Sequence, residues 1–269
     1  MKQILAIDRL SIHAGDKVLV SDLSLSVAPG ERIGLIGESG SGKSLTALAA
    51  IGLLPDGLIA RGSIQLDDTQ VIGARDRDLV PLRGTKAAVV FQEPLTALDP
   101  LMKIGNQVGE AVRRRARRDD RSVKRTVVDA EVIDLLHQVA LPEPKRIAQS
   151  WPHQMSGGQR QRAAIAMALA CQPKLLIADE PTTALDVTTQ AEILDVMGRL
   201  VRDRGMALLF ISHDLPVVAG IVDRIVVLRH GRIVEQGPVD QVFRSPSNAY
   251  TQSLVAAARA FDDALGMNT

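Results

Sequence analysis

Eight consecutive residues, Gly37-Glu38-Ser39-Gly40-Ser41-Gly42-Lys43-Ser44, follow the spacing G-x-x-x-x-G-K-[ST]. Glycines at this spacing let backbone N–H groups converge on phosphate oxygens, and a helix starting there turns its positive end toward the same anion. Lys43 then neutralises the outer phosphates, and Ser44 offers a hydroxyl to Mg²⁺. Lys174-Leu175-Leu176-Ile177-Ala178-Asp179-Glu180 is an apolar run tipped by two acids. There Asp179 suits a hydrated Mg²⁺ and Glu180 suits a water that must be polarised. Between these two lies Ser156-Gly157-Gly158-Gln159-Arg160-Gln161-Arg162, with Ser156 as a helix cap and two glycines that expose backbone N–H groups. A capped helix accounts for this third feature by itself. It does not account for two anion-ready helix starts in one order with an acid-tipped strand.

These groups need strands and helices to aim them. Arg32–Ile36 is a short apolar strand before the glycine-rich stretch, and Leu45–Leu54 follows it as a helix closed by Pro55-Asp56-Gly57. Ile4–Ile7, Val18–Val20 and Leu23–Val27 are expected as separate short strands. Apolar runs at Ala87–Phe91, Leu175–Ala178, Ala207–Ile211 and Ile225–Leu228 alternate with helical patterns, which predicts an α/β fold with a covered parallel sheet. Residues 94–156 carry helical spacing only, as in Val128, Val132, Leu135 and Leu136, and are expected as an inserted helical subdomain. The charge run Arg113-Arg114-Arg115-Ala116-Arg117-Arg118 is expected as a solvated helix face balanced by Asp119 and Asp120, in preference to a nucleic-acid or lipid patch.

The 269 residues carry 32 basic and 31 acidic side chains, so no global field advertises nucleic acid as a partner. Aromatics are 2% of the chain, and none precedes Phe91, which argues against a stacking platform for single strands. The lone Cys171 excludes an intramolecular disulfide or a zinc site of several cysteines, and points to a reducing compartment. No apolar run reaches the ~20 residues of a spanning helix, so a soluble protein is expected.

With these motifs in view, the chain resembles the ATP-binding subunit of ABC transporters over essentially its whole length. Gly37–Ser44 is similar to the Walker A loop and Leu175–Glu180 to Walker B. Val90-Phe91-Gln92-Glu93-Pro94 is similar to the Q-loop, and Met155-Ser156-Gly157-Gly158-Gln159 to the signature motif, with Met155 where Leu is usual. Ala184-Leu185-Asp186 resembles the D-loop, and Ile211-Ser212-His213-Asp214 holds the switch histidine. The stretches Phe91–Pro100, Pro152–Arg162, Ala178–Thr188, Gly52-Leu53-Leu54-Pro55 and Tyr250-Thr251 are closest to the dipeptide/oligopeptide/nickel import branch.

The resemblance implies an ABC ATPase fold: a P-loop NTPase core (1–93 and 157–240) with a parallel sheet and an N-terminal antiparallel β-subdomain, the helical subdomain 94–156, and a short C-terminal tail 241–269. It implies a head-to-tail dimer of ATPase subunits, identical or homologous, with ATP and Mg²⁺ between them. One chain supplies Lys43, Ser44, Gln92, Asp179, Glu180 and His213, and the opposing chain supplies Ser156, Gly157, Gly158 and Gln159. Asp186 couples the two sites, and Gln92 touches the metal and reports nucleotide state to the helical subdomain. Integral-membrane permeases are the implied partners, with an extracytoplasmic solute-binding protein acting indirectly. The implied location is the cytoplasmic face of the inner membrane, as a peripheral subunit. The alternative is a transporter-like accessory ATPase of a soluble multienzyme complex such as carbon–phosphorus lyase. One departure stands out. The family stacks adenine on an aromatic upstream of Walker A, and here Ile12-His13-Ala14-Gly15-Asp16 offers only His13 as a planar side chain.

Overall fold

The structure is a computed structural model and describes residues 2–183 and 185–264. The chain divides into two compact units, Met1–Leu82 with Ala207–Thr269, and Arg83–Met206.

The first unit opens with an antiparallel sheet. Strands β1 (Leu5–Ala14), β2 (Lys17–Val27), β4 (Leu58–Leu66) and β5 (Thr69–Gln70) lie in the order β2-β1-β4-β5. Apolar residues alternate inward along β1 and β2, with Leu5, Ile7, Leu10, Ile12, Val20, Leu23, Leu25 and Val27 all buried. The sequence predicts separate short strands here, whereas the structure runs them into two long ones. Register shifts at Ile7/Leu10, Leu10/Ile12 and Ile12/His13 absorb the polar residues that interrupt the apolar pattern. Arg9 and Asp22, both at positive φ, lie within these strands.

A second layer of the same unit holds β3 (Arg32–Ile36), β8 (Ala207–Ser212), β9 (Arg224–Arg229) and β10 (Arg232–Pro238). β3 is central, parallel to β8 on one side and β9 on the other, and β10 pairs antiparallel with β9. These parallel strands are buried nearly end to end, as expected of strands covered on both faces. Helix α1 (Lys43–Ala50) follows β3, α2 (Asp76–Leu79) follows β5, and α8 (Leu215–Ala219) follows β8. α8 packs so closely on β3 that a Cβ at Gly34 would lie 2.2 Å from Val218 Cγ1. At the outer end, Arg32 pairs with Asp223, which holds that carboxyl below its usual range through the guanidinium hydrogen bonds. The unit closes with α9 (Val239–Arg244) and α10 (Ala249–Ala264).

Among the described residues the second unit contains parallel strands β6 (Ala87–Val90) and β7 (Leu175–Asp179) and the helices α3 (Ile104–Arg118), α4 (Arg125–Gln138), α5 (Pro144–Gln149), α6 (Gly157–Ala170) and α7 (Val187–Asp203). Short 3-10 turns stand at Pro94–Thr96 and Pro152–Gln154. α3, α4 and α5 pack on one another, and Val108, Val112, Val132, Leu135, Leu136 and Ile147 on these helices are buried.

The charge run corrects one expectation. Arg115 is 2% exposed, the largest fully buried side chain among the described residues, and not part of a solvated face. Its guanidinium donates to the Ala170 carbonyl at 2.9 Å and to Glu131. A buried cation is tolerated only with such partners. Arg118 pairs with Asp119 and Arg113 with Glu110, so the flanking arginines stay at the surface as expected.

Candidate functional site

The glycine-rich loop expected to bind phosphate, Gly37–Ser44, is built by the first unit. β3 delivers the chain to Gly37, where a Cβ would lie 2.2 Å from the Leu228 carbonyl oxygen, so no other side chain fits. The loop ends at Gly42, the residue before α1, at φ 100° in the left-handed region that glycine enters without strain. A Cβ there would also meet Val20 Cγ2 at 2.8 Å, because β2 runs alongside the loop. The β9–β10 turn braces it from another side: Gly231 N–H donates to the Ser41 carbonyl at 3.1 Å, and Ser21 N–H to the Gly231 carbonyl at 2.8 Å.

Lys43 is 4% exposed, and its ammonium folds back on the loop, donating to the Gly37 carbonyl at 2.7 Å and the Glu38 carbonyl at 2.9 Å. Ser39, Gly40 and Ser44 are exposed. Ser41 Oγ is buried and has no hydrogen-bond partner among the described residues, a polar atom of the kind a bound ligand satisfies. His213 stands exposed in the turn after β8. Ser212 Oγ accepts from Asp214 N–H at 2.9 Å, and Asp214 caps α8 by accepting from Val217 N–H at 3.3 Å, so the turn that carries His213 is fixed on both sides.

His13 lies in β1, half-buried, with Val18 of β2 and Ile59 of β4 opposite it in register. Directly paired residues share a face of an antiparallel sheet. Val18 is 51% and Ile59 58% exposed, so the histidine has an open apolar shelf on either side.

The second unit holds the acids. β7 is buried up to Ala178, and Asp179 and Glu180 emerge half-buried at its end. Glu180 has φ 47°, a left-handed conformation uncommon for a side chain of its size and a form of strain that clusters at functional sites. Thr183 Oγ1 donates to Glu180 Oε2 at 3.1 Å.

Gln92 follows β6 and is exposed. The start of α6 lies beside it: Gln161 Nε2 donates to the Phe91 carbonyl at 3.3 Å, and a cleft of about 170 Å³ is lined by Gln92, Pro94, Gly157, Arg160, Pro181 and Leu185. The helix start itself is a full capping box. Ser156 Oγ accepts from Gln159 N–H at 3.2 Å, and Gln159 Oε1 accepts from Ser156 N–H at 3.1 Å. A Cβ on Gly158 would lie 2.5 Å from Thr189 Cγ2, so the glycine lets α6 meet the first turn of α7. Asp186 caps α7 through Thr189 N–H at 2.9 Å, and that hydrogen bond holds its carboxyl below the usual range. Ala184, the first residue of the expected D-loop, lies outside the described residues, as do residues 265–269 of the tail.

Within each unit the structure therefore gathers the sequence-predicted groups: loop, Lys43, Ser44 and His213 in one, and Gln92, Asp179, Glu180, Ser156–Gln159 and Asp186 in the other. The ABC transporter family profile matches residues 20–183, the stretch from β2 through Thr183.

The chain belongs to the ABC transporter family.

It is an ATPase whose hydrolysis is coupled to transport. It is 47% identical to a peptide import ATP-binding protein of Brucella ovis over 95% of this chain and 76% of the relative. It is 40% identical to the dipeptide transport ATP-binding protein of Haemophilus influenzae, over 96% of this chain and 78% of that one. Among solved structures it matches a dimeric ATP-binding cassette in a post-hydrolysis state with ADP and Pi, at TM-score 0.77 and 27% identity, covering 87% of this chain and 98% of the other. The α/β fold of the ABC ATPases expected from sequence is thus the observed one. Tyr250, by contrast, enters the sequence reading only as a branch marker. The structure puts its hydroxyl on the phosphate loop, where Glu38 N–H donates to it at 3.0 Å.

Proposed function

We propose that this chain drives the import of short peptides through integral-membrane permeases, as a peripheral subunit at the cytoplasmic face of the membrane. The observation that carries this is the full motif set together with relatives named for peptide, dipeptide and oligopeptide transport. No helix among the described residues is long and apolar enough to cross a membrane. Leu95, Leu101 and Met102 are 46%, 88% and 39% exposed in the stretch after Gln92, and an open apolar surface of this kind supports docking of a permease helix there.

ATP is bound with Mg²⁺. Ser44 and Asp179 supply hydroxyl and carboxylate oxygens, the hard donors that this ion takes alongside water and phosphate, and Gln92 adds a carbonyl. The metal offsets phosphate charge when bound. Lys43 exchanges its carbonyl partners for phosphate oxygens. Glu180 orients and polarises the attacking water, and His213 contacts the outer phosphate. Ser156, Gly157, Gly158 and Gln159 meet the nucleotide of an opposing ATPase subunit, and Asp186 links the two sites. The base packs on His13, with Val18 and Ile59 as apolar flanks. A solute-binding protein delivers cargo on the far side of the membrane. A role in a soluble multienzyme complex is not favoured by the import names of the relatives.

Two measurements test this. In the assembled complex, Glu180→Gln keeps ATP binding and loses turnover by at least a hundredfold; wild-type rates would remove Glu180 from its role. Affinity purification from membranes should recover permeases with this chain, and recovery of soluble enzymes instead would support the alternative.

A further inference from the structure

Glu38 N–H and the Gly37 carbonyl are the two polar edges of a single peptide bond. That bond is trans, as all are among the described residues, so the two groups point in opposite directions. On one edge, Lys43 Nζ donates to the Gly37 carbonyl at 2.7 Å. On the other, Glu38 N–H donates to Tyr250 Oη at 3.0 Å, across 212 residues of sequence. Lysine and tyrosine thus grip one peptide plane from both sides, at the entrance of the phosphate loop.

The tyrosine is itself firmly held. It is 5% exposed, and the Arg229 guanidinium lies over its ring at 4.6 Å from the centroid. Asn248 Oδ1 accepts from Tyr250 N–H at 2.9 Å, at the first turn of α10. Glu235 on β10 fastens the segment before it, accepting from Ser247 N–H at 2.7 Å, Ser247 Oγ at 2.9 Å and Asn248 N–H at 3.1 Å. Burial pushes the Tyr250 phenol up from its ordinary range, so it stays a neutral hydroxyl that can accept the N–H.

We propose that Tyr250 is a positioning residue for nucleotide binding, through which the C-terminal helix sets the phosphate loop. With the hydroxyl gone, the Gly37–Glu38 plane loses the hold that remains when Lys43 turns from the Gly37 carbonyl to the phosphates, and the Ser41 N–H bond to the Glu38 carbonyl at 3.2 Å, which closes the loop's turn, loosens with it. A loop no longer preorganised must be ordered by the ligand, which weakens affinity and leaves the chemical step alone. This rests on the assignment of Gly37–Ser44 as the phosphate-binding loop.

The test is nucleotide affinity of the full-length subunit, read with a fluorescent ATP analogue, beside KM and kcat of the assembled transporter. Tyr250→Phe should raise Kd and KM for ATP about threefold, the size of one neutral hydrogen bond, with kcat unchanged. Val255→Ala, a buried residue on the same helix, should lower Tm and leave Kd as in wild type. An unchanged or lowered Kd in Tyr250→Phe overturns the proposal. So does a fall in kcat at constant KM, or a rise in Kd for Val255→Ala equal to that of Tyr250→Phe. Lys43→Ala separates the two levels. If it leaves Kd intact, the loop assignment itself fails; if it abolishes binding while Tyr250→Phe has no effect, only the tyrosine's role is lost.

Discussion

Two helix starts in this molecule are ready for an anion, and they are made in opposite ways. The start of α1 has no side-chain cap. Its shape comes from glycine at φ 100°, from strands pressing on the loop, and from a buried lysine folded back onto the carbonyls. The start of α6 is capped on both sides by its own Ser156 and Gln159, with Ser156 and Gly157 exposed. The first is a cradle whose lysine is folded onto backbone carbonyls of its own loop. The second is a finished surface, complete without ligand and open to one presented from outside. That contrast suits the proposed site shared between two subunits, in which one chain would hold the phosphates and another would close over them.

The largest expected effect comes from breaking the cradle. Lys43→Ala should reduce ATP turnover of the assembled complex by at least a hundredfold, and near-normal turnover would contradict its role. Next is Gly42→Ala. The left-handed backbone and the approach of Val20 together should cost about 2 kcal/mol in denaturant unfolding. Gly157→Ala, whose Cβ would make only ordinary contact with Leu185 at 3.4 Å, should cost under about 0.5 kcal/mol. Equal costs would erase the distinction between the two starts. Ser156→Ala removes a cap and should cost about 1 kcal/mol.

The smallest effect concerns the brace from the C-terminal helix. Burial pushes the Glu235 carboxyl up, but the polar groups of Thr251, Ser247 and Asn248 that face it outweigh burial and hold it below the usual carboxylate range. A depressed carboxylate stabilises the fold above its unfolded pKa, and that contribution is lost as pH falls through the folded pKa. Glu235→Gln should therefore lower Tm slightly at neutral pH, and the gap to wild type should close as pH falls through and below the ordinary carboxylate range. A gap constant with pH would show that charge is not involved.

The candidate groups were legible in sequence because each set is local. Gly37–Ser44, Leu175–Glu180 and Ser156–Gln159 each place their groups within a few residues, on a strand end or a helix start that apolar spacing announces. The buried strands were legible for the same reason. β4 and β10 were not. Their burial patterns are broken by exposed residues, and β10 ends in Pro238, so neither carries a clean period. Arg115 looked like one arginine among five, because nothing local reports that the Ala170 carbonyl and Glu131 lie within its reach. Tyr250 was invisible as a loop contact, since its partner is 212 residues away. Long-range polar pairs leave no periodicity to read.

The division of labour between the two helix starts is tested most directly by comparing Ser156→Arg with Lys43→Ala in two assays, ATP affinity of the isolated subunit and turnover of the assembled complex. The account predicts that Ser156→Arg binds ATP as wild type does when alone, yet loses at least a hundredfold in turnover, while Lys43→Ala fails in both. A loss of affinity in isolated Ser156→Arg as large as that of Lys43→Ala would contradict it.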